Sequence, residues 1–250
     1  LDYHGSYQAY LEAKARLFTQ LMETPVKPQG NPRLGVLNRD DQSYAYLRQV
    51  TLANQISYSI KADADVRASD IQFGTESSSF LVSGPGFQQH IETSLVGPFN
   101  VSNCLAAICA TVVGLGIDPE VAARGIATQH GVPGRMERIH MGQHFMAIVD
   151  FAHTPNALRQ VLGTARQITS GRVIAIFGSA GLRDVEKRRL MAEVSAELAD
   201  LTILTAEDPR TESLEGILAE MANGAVSRGG VLGETVHLVA DRGEALRTAV

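Results

Sequence analysis

Apolar residues recur at three- and four-residue steps over residues 6–22, at Tyr7, Tyr10, Leu11, Leu17, Phe18 and Leu21, which predicts a helix. Pro25, Pro28, Gly30 and Pro32 break the chain after it. Leu34-Gly35-Val36-Leu37-Asn38 reads as a short strand, and the polar turn to Asp41 caps a helix over 42–49. Residues 55–95 alternate and carry Gly and Ser punctuation, the pattern of β-hairpins. A helical run at 100–115 ends at Gly114 and Gly116, and Asp118-Pro119-Glu120 opens the next helix, to about Thr128. Gly131-Val132-Pro133-Gly134 then interrupts helical periodicity and marks a domain boundary. Beyond it, strands at 145–150, 172–178, 201–205 and 235–239 alternate with helices at 155–168, 186–199, 213–223 and 242–250. That rhythm predicts an α/β fold with a mainly parallel sheet and right-handed crossovers. Two domains follow, 1–133 and 134–250.

Composition narrows the functional classes. The 250 residues suffice for one large or two ordinary cores, and the net charge of −5, with both signs interspersed, leaves no basic stripe for nucleic acid. No apolar stretch approaches the length of a membrane span, and the first residues lack the layout of a signal peptide, so a soluble chain is expected. Cys104 and Cys109 fall on different sides of one helix, which disfavours a disulfide, predicts buried structural thiols and fits a reducing cytoplasm.

The segment Val149-Asp150-Phe151-Ala152-His153-Thr154-Pro155-Asn156-Ala157-Leu158 carries the richest chemistry. A β-friendly run ends at Asp150, and Thr154 and Pro155 suit the N-cap and first turn of a helix. Ligands of open α/β sheets bind outside the carboxyl ends of strands, where Asp150 and His153 would stand. A helix-capping loop explains the same residues without a ligand.

VDFAHTPNAL is similar to the VDYAHTPDAL segment of the Mur ligases, ATP-dependent enzymes that add amino acids to the UDP-N-acetylmuramoyl peptide precursor of the cell wall. LDYHGSYQAYLEAKARLF at 1–18, GPFNVSNCLAA at 97–107, GRMERI at 134–139 and EDPRTES at 207–213 also resemble that family, in the same order. The pattern is nearest to members that add the third residue, diaminopimelate or lysine. The resemblance implies part of a central ATPase domain followed by a C-terminal Rossmann-like domain. It implies ATP and Mg²⁺ as cofactors, UDP-N-acetylmuramoyl-dipeptide and a diamino acid as partners, a cytoplasmic location and a monomer. No Gly-Lys-Thr phosphate loop occurs in these residues, so the chain is expected to be a fragment that folds but does not catalyse by itself.

Residue roles follow from the resemblance, each beside a plainer one. Lys14 is either a helix-surface lysine or the family's carbamylated metal-binding lysine. A carbamate would present the hard oxygens that Mg²⁺ prefers where an ammonium would repel it. The family's metal-binding histidine maps one position before Leu1, so His4 is given no metal role. Asn100 and Asn103 are helix-capping residues or border the adenine, which a carboxamide can recognise as donor and acceptor. Arg135 pairs with Glu137 or solvent, or reaches the nucleotide with its planar fork. Asp150 would accept from the ribose hydroxyls, and His153 contacts the nucleotide or only orders its loop. Arg183 belongs to a solvated cluster with Lys187, Arg188 and Arg189, and 207–210 is a turn. Alternatively, Arg183 and Arg210, with Glu207 and Asp208, receive the incoming amino acid. Glu207-Asp208 replaces the Asp-Asn of diaminopimelate-adding enzymes, and residues 181–187 also depart from the family pattern. A folylpolyglutamate- or cyanophycin-synthetase-like ligase and a non-catalytic nucleotide-binding relative are the rival readings.

Overall fold

In the computed structural model, residues 4–28 and 30–250 are described, and they form two compact units that divide between Val132 and Pro133. The first unit opens with helix α1 (Tyr7–Thr19), capped by the Ser6 hydroxyl, which accepts from the Ala9 amide at 3.1 Å. A short 3-10 turn (Gln20–Glu23) and the proline-rich segment lead to β1 (Leu34–Asn38), α2 (Tyr44–Val50), β2 (Asn54–Ser59), β3 (Val66–Phe73), β4 (Ser78–Gly84) and β5 (Phe87–Thr93). These strands form one sheet in chain order. β1, β2 and β3 pair in parallel, while β3, β4 and β5 form an antiparallel meander. The hairpin expectation for 55–95 therefore holds from β3 onward and fails for β2. The reason is non-local: β2 aligns Ile56 with Val36 of β1 across the intervening α2, a pairing that alternation alone does not specify.

Helix α3 (Pro98–Ile108) starts at Gly97, whose φ of 107° suits only glycine, with Pro98 in the first turn. A π-helical stretch (Cys109–Gly114) continues it, and the Thr111 hydroxyl takes the Ala107 carbonyl at 2.8 Å, competing with the backbone ladder. Helix α4 (Pro119–Ala127) is capped by Asp118. Val101, Leu105, Ile108, Cys104 and Cys109 pack on Val66, Phe80, Val82 and Ile91 to make the core. Burial pushes the Cys104 thiol up to about 11 and that of Cys109 to about 12, so both are unreactive packing groups.

Asp65, just before β3, accepts from the Ser57 amide at 2.8 Å and the Ser57 hydroxyl at 2.5 Å, tying β2 to β3. The Ser57 hydroxyl and amide hold this carboxyl below the usual carboxylate range. A depressed folded value means stability that is present above the unfolded value of about 3.9 and lost as pH falls through the folded one. Asp65→Asn is thus expected to lower the denaturation midpoint at pH 7, with the gap from wild type closing below about pH 4. An equal gap at both pH values would show that the charge is irrelevant to the bond.

The second unit begins with a two-stranded antiparallel hairpin, β6 (Glu137–Ile139) and β7 (Ala147–Val149). Then follow α5 (Pro155–Ile168), β8 (Ile174–Phe177), α6 (Val185–Leu198), β9 (Leu201–Leu204), α7 (Leu214–Ser227), β10 (Val236–Leu238) and α8 (Arg242–Ala249). β8, β9 and β10 form a parallel sheet in the order β10-β9-β8. Leu158, Phe177, Met191, Leu204, Ile217 and Met221 fill its core. Helix caps agree with local sequence: Thr154, Asp184, Ser213 and Asp241 each accept from an amide of the following turn. β7 departs from expectation, because it pairs with β6 and not with the parallel sheet. Among the described residues no helix is long and apolar enough to cross a membrane.

Candidate functional site

The first unit presents Lys14 and the Asn100–Asn103 pair. Lys14 is exposed on α1, with Nζ 5.5 Å from the Tyr10 ring centroid and no carboxylate partner among the described residues. No group of three or more His, Cys, Asp or Glu side chains among the described residues is placed to hold a metal. Lys14 would therefore be a single donor to a metal, not a site by itself.

Asn100 is buried in the first turn of α3, where its Nδ2 donates to the Val96 carbonyl at 2.9 Å. It is not the N-cap, a position that Gly97 fills. Asn103, one turn on, is exposed and donates from Nδ2 to Asn100 Oδ1 at 3.4 Å. Asn100 thus braces the helix start, and the Asn103 carboxamide oxygen takes no part in the bond between them.

In the second unit, Arg135, Asp150 and His153 come together around Phe151. Asp150 laces two segments: Oδ2 accepts from the Met136 amide and Oδ1 from the Ala152 amide, both at 2.8 Å. The Phe151 amide donates to the Gly134 carbonyl at 2.7 Å, and Glu137 accepts from the Gly134 amide at 2.7 Å. Glu137 is therefore engaged by backbone, and among the described residues Arg135 makes no ion pair with it. The Arg135 guanidinium lies instead 4.9 Å from the centroid of the exposed Phe151 ring. The His153 ring stands 4.8 Å from Phe151, and its Nδ1 lies 3.0 Å from the Phe151 carbonyl. Asp150 does not end a strand of the parallel sheet, so the strand-end argument for it fails. What places it is backbone lacing, which leaves each carboxylate oxygen a further lone pair. Phe151 was not singled out by sequence reasoning; an aromatic between two polar residues in an otherwise capping loop was the available signal.

The strand-end rule applies instead to β8 and β9. Their following loops touch so closely that a Cβ at Gly178 would sit 2.4 Å from the Thr205 carbonyl oxygen, and one at Gly181 would sit 2.0 Å from that of Pro209. The Gly181 amide donates to the Asp208 carbonyl at 2.7 Å. These zipped loops carry Arg183, Glu207, Asp208 and Arg210, all exposed. Arg210 adopts a left-handed φ of 53°, and its Nε lies 3.5 Å from Asp208 Oδ2. The turn expected at 207–210 lies two residues later, over 209–212, where the Glu212 amide donates to the Pro209 carbonyl at 3.0 Å. The solvated-cluster reading needs one correction: Arg188 is only 1% exposed, because it turns inward to Glu212 at 2.7 Å and Glu220 at 3.0 Å. Arg189 remains on the surface with Glu186 and Glu193. The hydroxyls of Ser179 and Thr205, at the ends of the same two strands, are buried without a protein partner.

Two family descriptions match in succession, "Mur ligase middle domain" over residues 1–111 and "Mur ligase, glutamate ligase domain" over 134–250. The chain belongs to the Mur ligase family. It is 40% identical over 253 residues, covering all of this chain and 50% of the relative, to a UDP-N-acetylmuramyl-tripeptide synthetase of Roseiflexus sp. (strain RS-1). It is equally 40% identical to a UDP-N-acetylmuramoyl-L-alanyl-D-glutamate–2,6-diaminopimelate ligase of Streptomyces coelicolor, covering all of this chain and 48% of that protein. A solved structure of a UDP-N-acetylmuramoyl-L-alanyl-D-glutamate–2,6-diaminopimelate ligase superposes with a TM-score of 0.59 at 32% identity, over 99% of this chain and 49% of that one. This Mur ligase chain spans about half the length of the curated relatives it matches.

Proposed function

We infer that this chain forms part of an ATP- and Mg²⁺-dependent ligase that joins diaminopimelate or lysine to UDP-N-acetylmuramoyl-L-Ala-D-Glu. Residues 1–133 are assigned to a partial central nucleotide-binding domain and 134–250 to the C-terminal ligase domain. The observation that carries the reading is the pair of exposed arginines, Arg183 and Arg210, on interlocked loops at the carboxyl end of a parallel sheet. The names borne by its relatives support the same activity.

In this reaction class the peptide carboxylate is activated as an acyl phosphate and the amine of the incoming residue then displaces phosphate. The work of the protein is positioning and charge stabilisation. Asn103 is suited to the adenine edge, with Asn100 holding the helix start beneath it. Arg135, held over the Phe151 ring, offers a permanent cation to phosphate or ribose, and His153 stands tilted against the same ring. Asp150, already holding two amides, has lone pairs left for ribose hydroxyls. Lys14, as a carbamate, would give Mg²⁺ one anionic oxygen ligand. Arg183 and Arg210 suit a distal carboxylate, while Glu207 and Asp208 suit ammonium groups.

The test is phosphate release by the full-length protein containing this chain, given UDP-muramoyl dipeptide, ATP, Mg²⁺ and a panel of amino acids. Release is expected with diaminopimelate or lysine and not with glutamate. Turnover of a folate with glutamate, or no release with any muropeptide acceptor, would refute the reading.

A further inference from the structure

We propose that Glu212, paired with the buried Arg188, forms a brace that sets the backbone of the loop carrying Arg183, and through it the affinity for the amino-acid substrate. The proposal rests on the reading that Arg183 and Arg210 face that substrate. Neither member of the brace is itself a substrate contact; both are positioning residues.

Glu212 is the node. Its amide donates to the Pro209 carbonyl at 3.0 Å, fixing it to the loop after β9. One carboxylate oxygen accepts from the Leu182 amide in the loop after β8, and the other accepts from Arg188 Nη2 at 2.7 Å. Three pieces of chain therefore meet on one side chain. Leu182 adopts a left-handed φ of 52° while its side chain is 59% exposed, so packing does not hold it in that unfavourable conformation. The hydrogen bond its amide donates to the Glu212 carboxylate does, together with the one the Gly181 amide donates to the Asp208 carbonyl.

Arg188 gives the brace its rigidity. It lies on α6 at 1% exposure, with Nη1 on Glu220 at 3.0 Å and Nε left without a partner. Burying the Arg188 guanidinium costs desolvation that its half-exposed carboxylate partners only offset, so stability alone is a poor reason for it. Here the guanidinium orients a carboxylate whose free edge grips the loop. The Leu182 amide and Arg188 hold the Glu212 carboxyl below the usual range, so it stays ionised at neutral pH. Glu220 is the internal control, because it binds the same guanidinium but, among the described residues, makes no bond to either loop.

The experiment compares Glu212→Gln and Glu220→Gln in the full-length protein, with Glu212→Asp as a milder, charge-retaining variant should the amide destabilise the fold. Arg183→Ala and Arg210→Ala are measured in parallel. KM for diaminopimelate and for ATP is determined, and amide hydrogen exchange is followed over residues 179–184. Both Glu212 variants are expected to raise the amino-acid KM, Glu212→Gln by about tenfold or more, with ATP KM little changed and faster exchange at Leu182. Glu220→Gln should alter neither. Equal effects of the Glu212 and Glu220 variants, or an unchanged amino-acid KM in both Glu212 variants, would overturn the brace. If the arginine variants leave the amino-acid KM unchanged while Glu212→Gln raises it, the arginine reading falls and the positioning role stands.

Discussion

Lys14→Ala in the full-length protein is expected to reduce ligation below detection while leaving the fold intact. The two halves of that expectation have separate grounds. Lys14 is exposed on α1, whose buried contacts are made by Leu11 and Ala15, so alanine removes no packing. Surface substitutions of this kind usually change stability by less than about 0.5 kcal/mol. The loss of activity follows from the proposed role of Lys14, in which the neutral amine adds carbon dioxide, loses a proton and offers carbamate oxygen to Mg²⁺. High bicarbonate is expected to restore part of the activity of the alanine variant, because carbonate can occupy the vacated ligand position. The measurement is steady-state phosphate release with and without bicarbonate, alongside a thermal melt. Full activity in the variant would reduce Lys14 to a surface residue.

Arg210→Ala is expected to raise the KM for diaminopimelate far more than that for ATP, and wild type should prefer diaminopimelate to lysine. Lysine would leave two guanidinium groups without an anion. Losing a charged hydrogen-bond partner in a partly desolvated site costs about 1.5–3 kcal/mol, roughly ten- to more than a hundredfold in preference. Asp208 opposes this preference, since it already stands 3.5 Å from Arg210 Nε and can attract a distal ammonium. That pair is solvent-exposed, with side-chain exposures of 36% and 65%, and such pairs are worth at most about 1 kcal/mol. A substrate carboxylate should therefore displace Asp208 from Arg210. Kinetics with both amino acids decide the matter: a wild type that prefers lysine, or an Arg210→Ala variant with an unchanged amino-acid KM, would refute the clamp.

The candidate site was legible to different depths in its different parts. Arg183, Asp208 and Arg210 became candidates only through the resemblance to the Mur ligases, and the structure puts their loops in contact through Gly178 and Gly181. Arg188 could not, because its neighbours Lys187 and Arg189 give the run the look of a solvated face. Its burial is decided by Glu212 and Glu220, which are 24 and 32 residues away. Asp150 was legible as a polar residue after an apolar run, but its partners, the Met136 and Ala152 amides, follow from the β6–β7 hairpin. That hairpin was half invisible, since Glu137-Arg138-Ile139 carries no apolar alternation.

What the sequence by itself determined are the elements whose signals are local. Helix α5 begins and ends where Thr154-Pro155 and the apolar periodicity place it, at 155 and 168, and α4 starts at Pro119 behind its Asp118 cap. Capping bonds and side-chain periods span only a few residues, so the chain need not be folded for them to be read. Tertiary structure alone decided which strands are neighbours, including the parallel placement of β2 and the separation of β7 from the β10-β9-β8 sheet. It also decided which charges turn inward. Both outcomes depend on pairing between distant segments, where the gain is shared burial and hydrogen bonding and no local pattern encodes the partner.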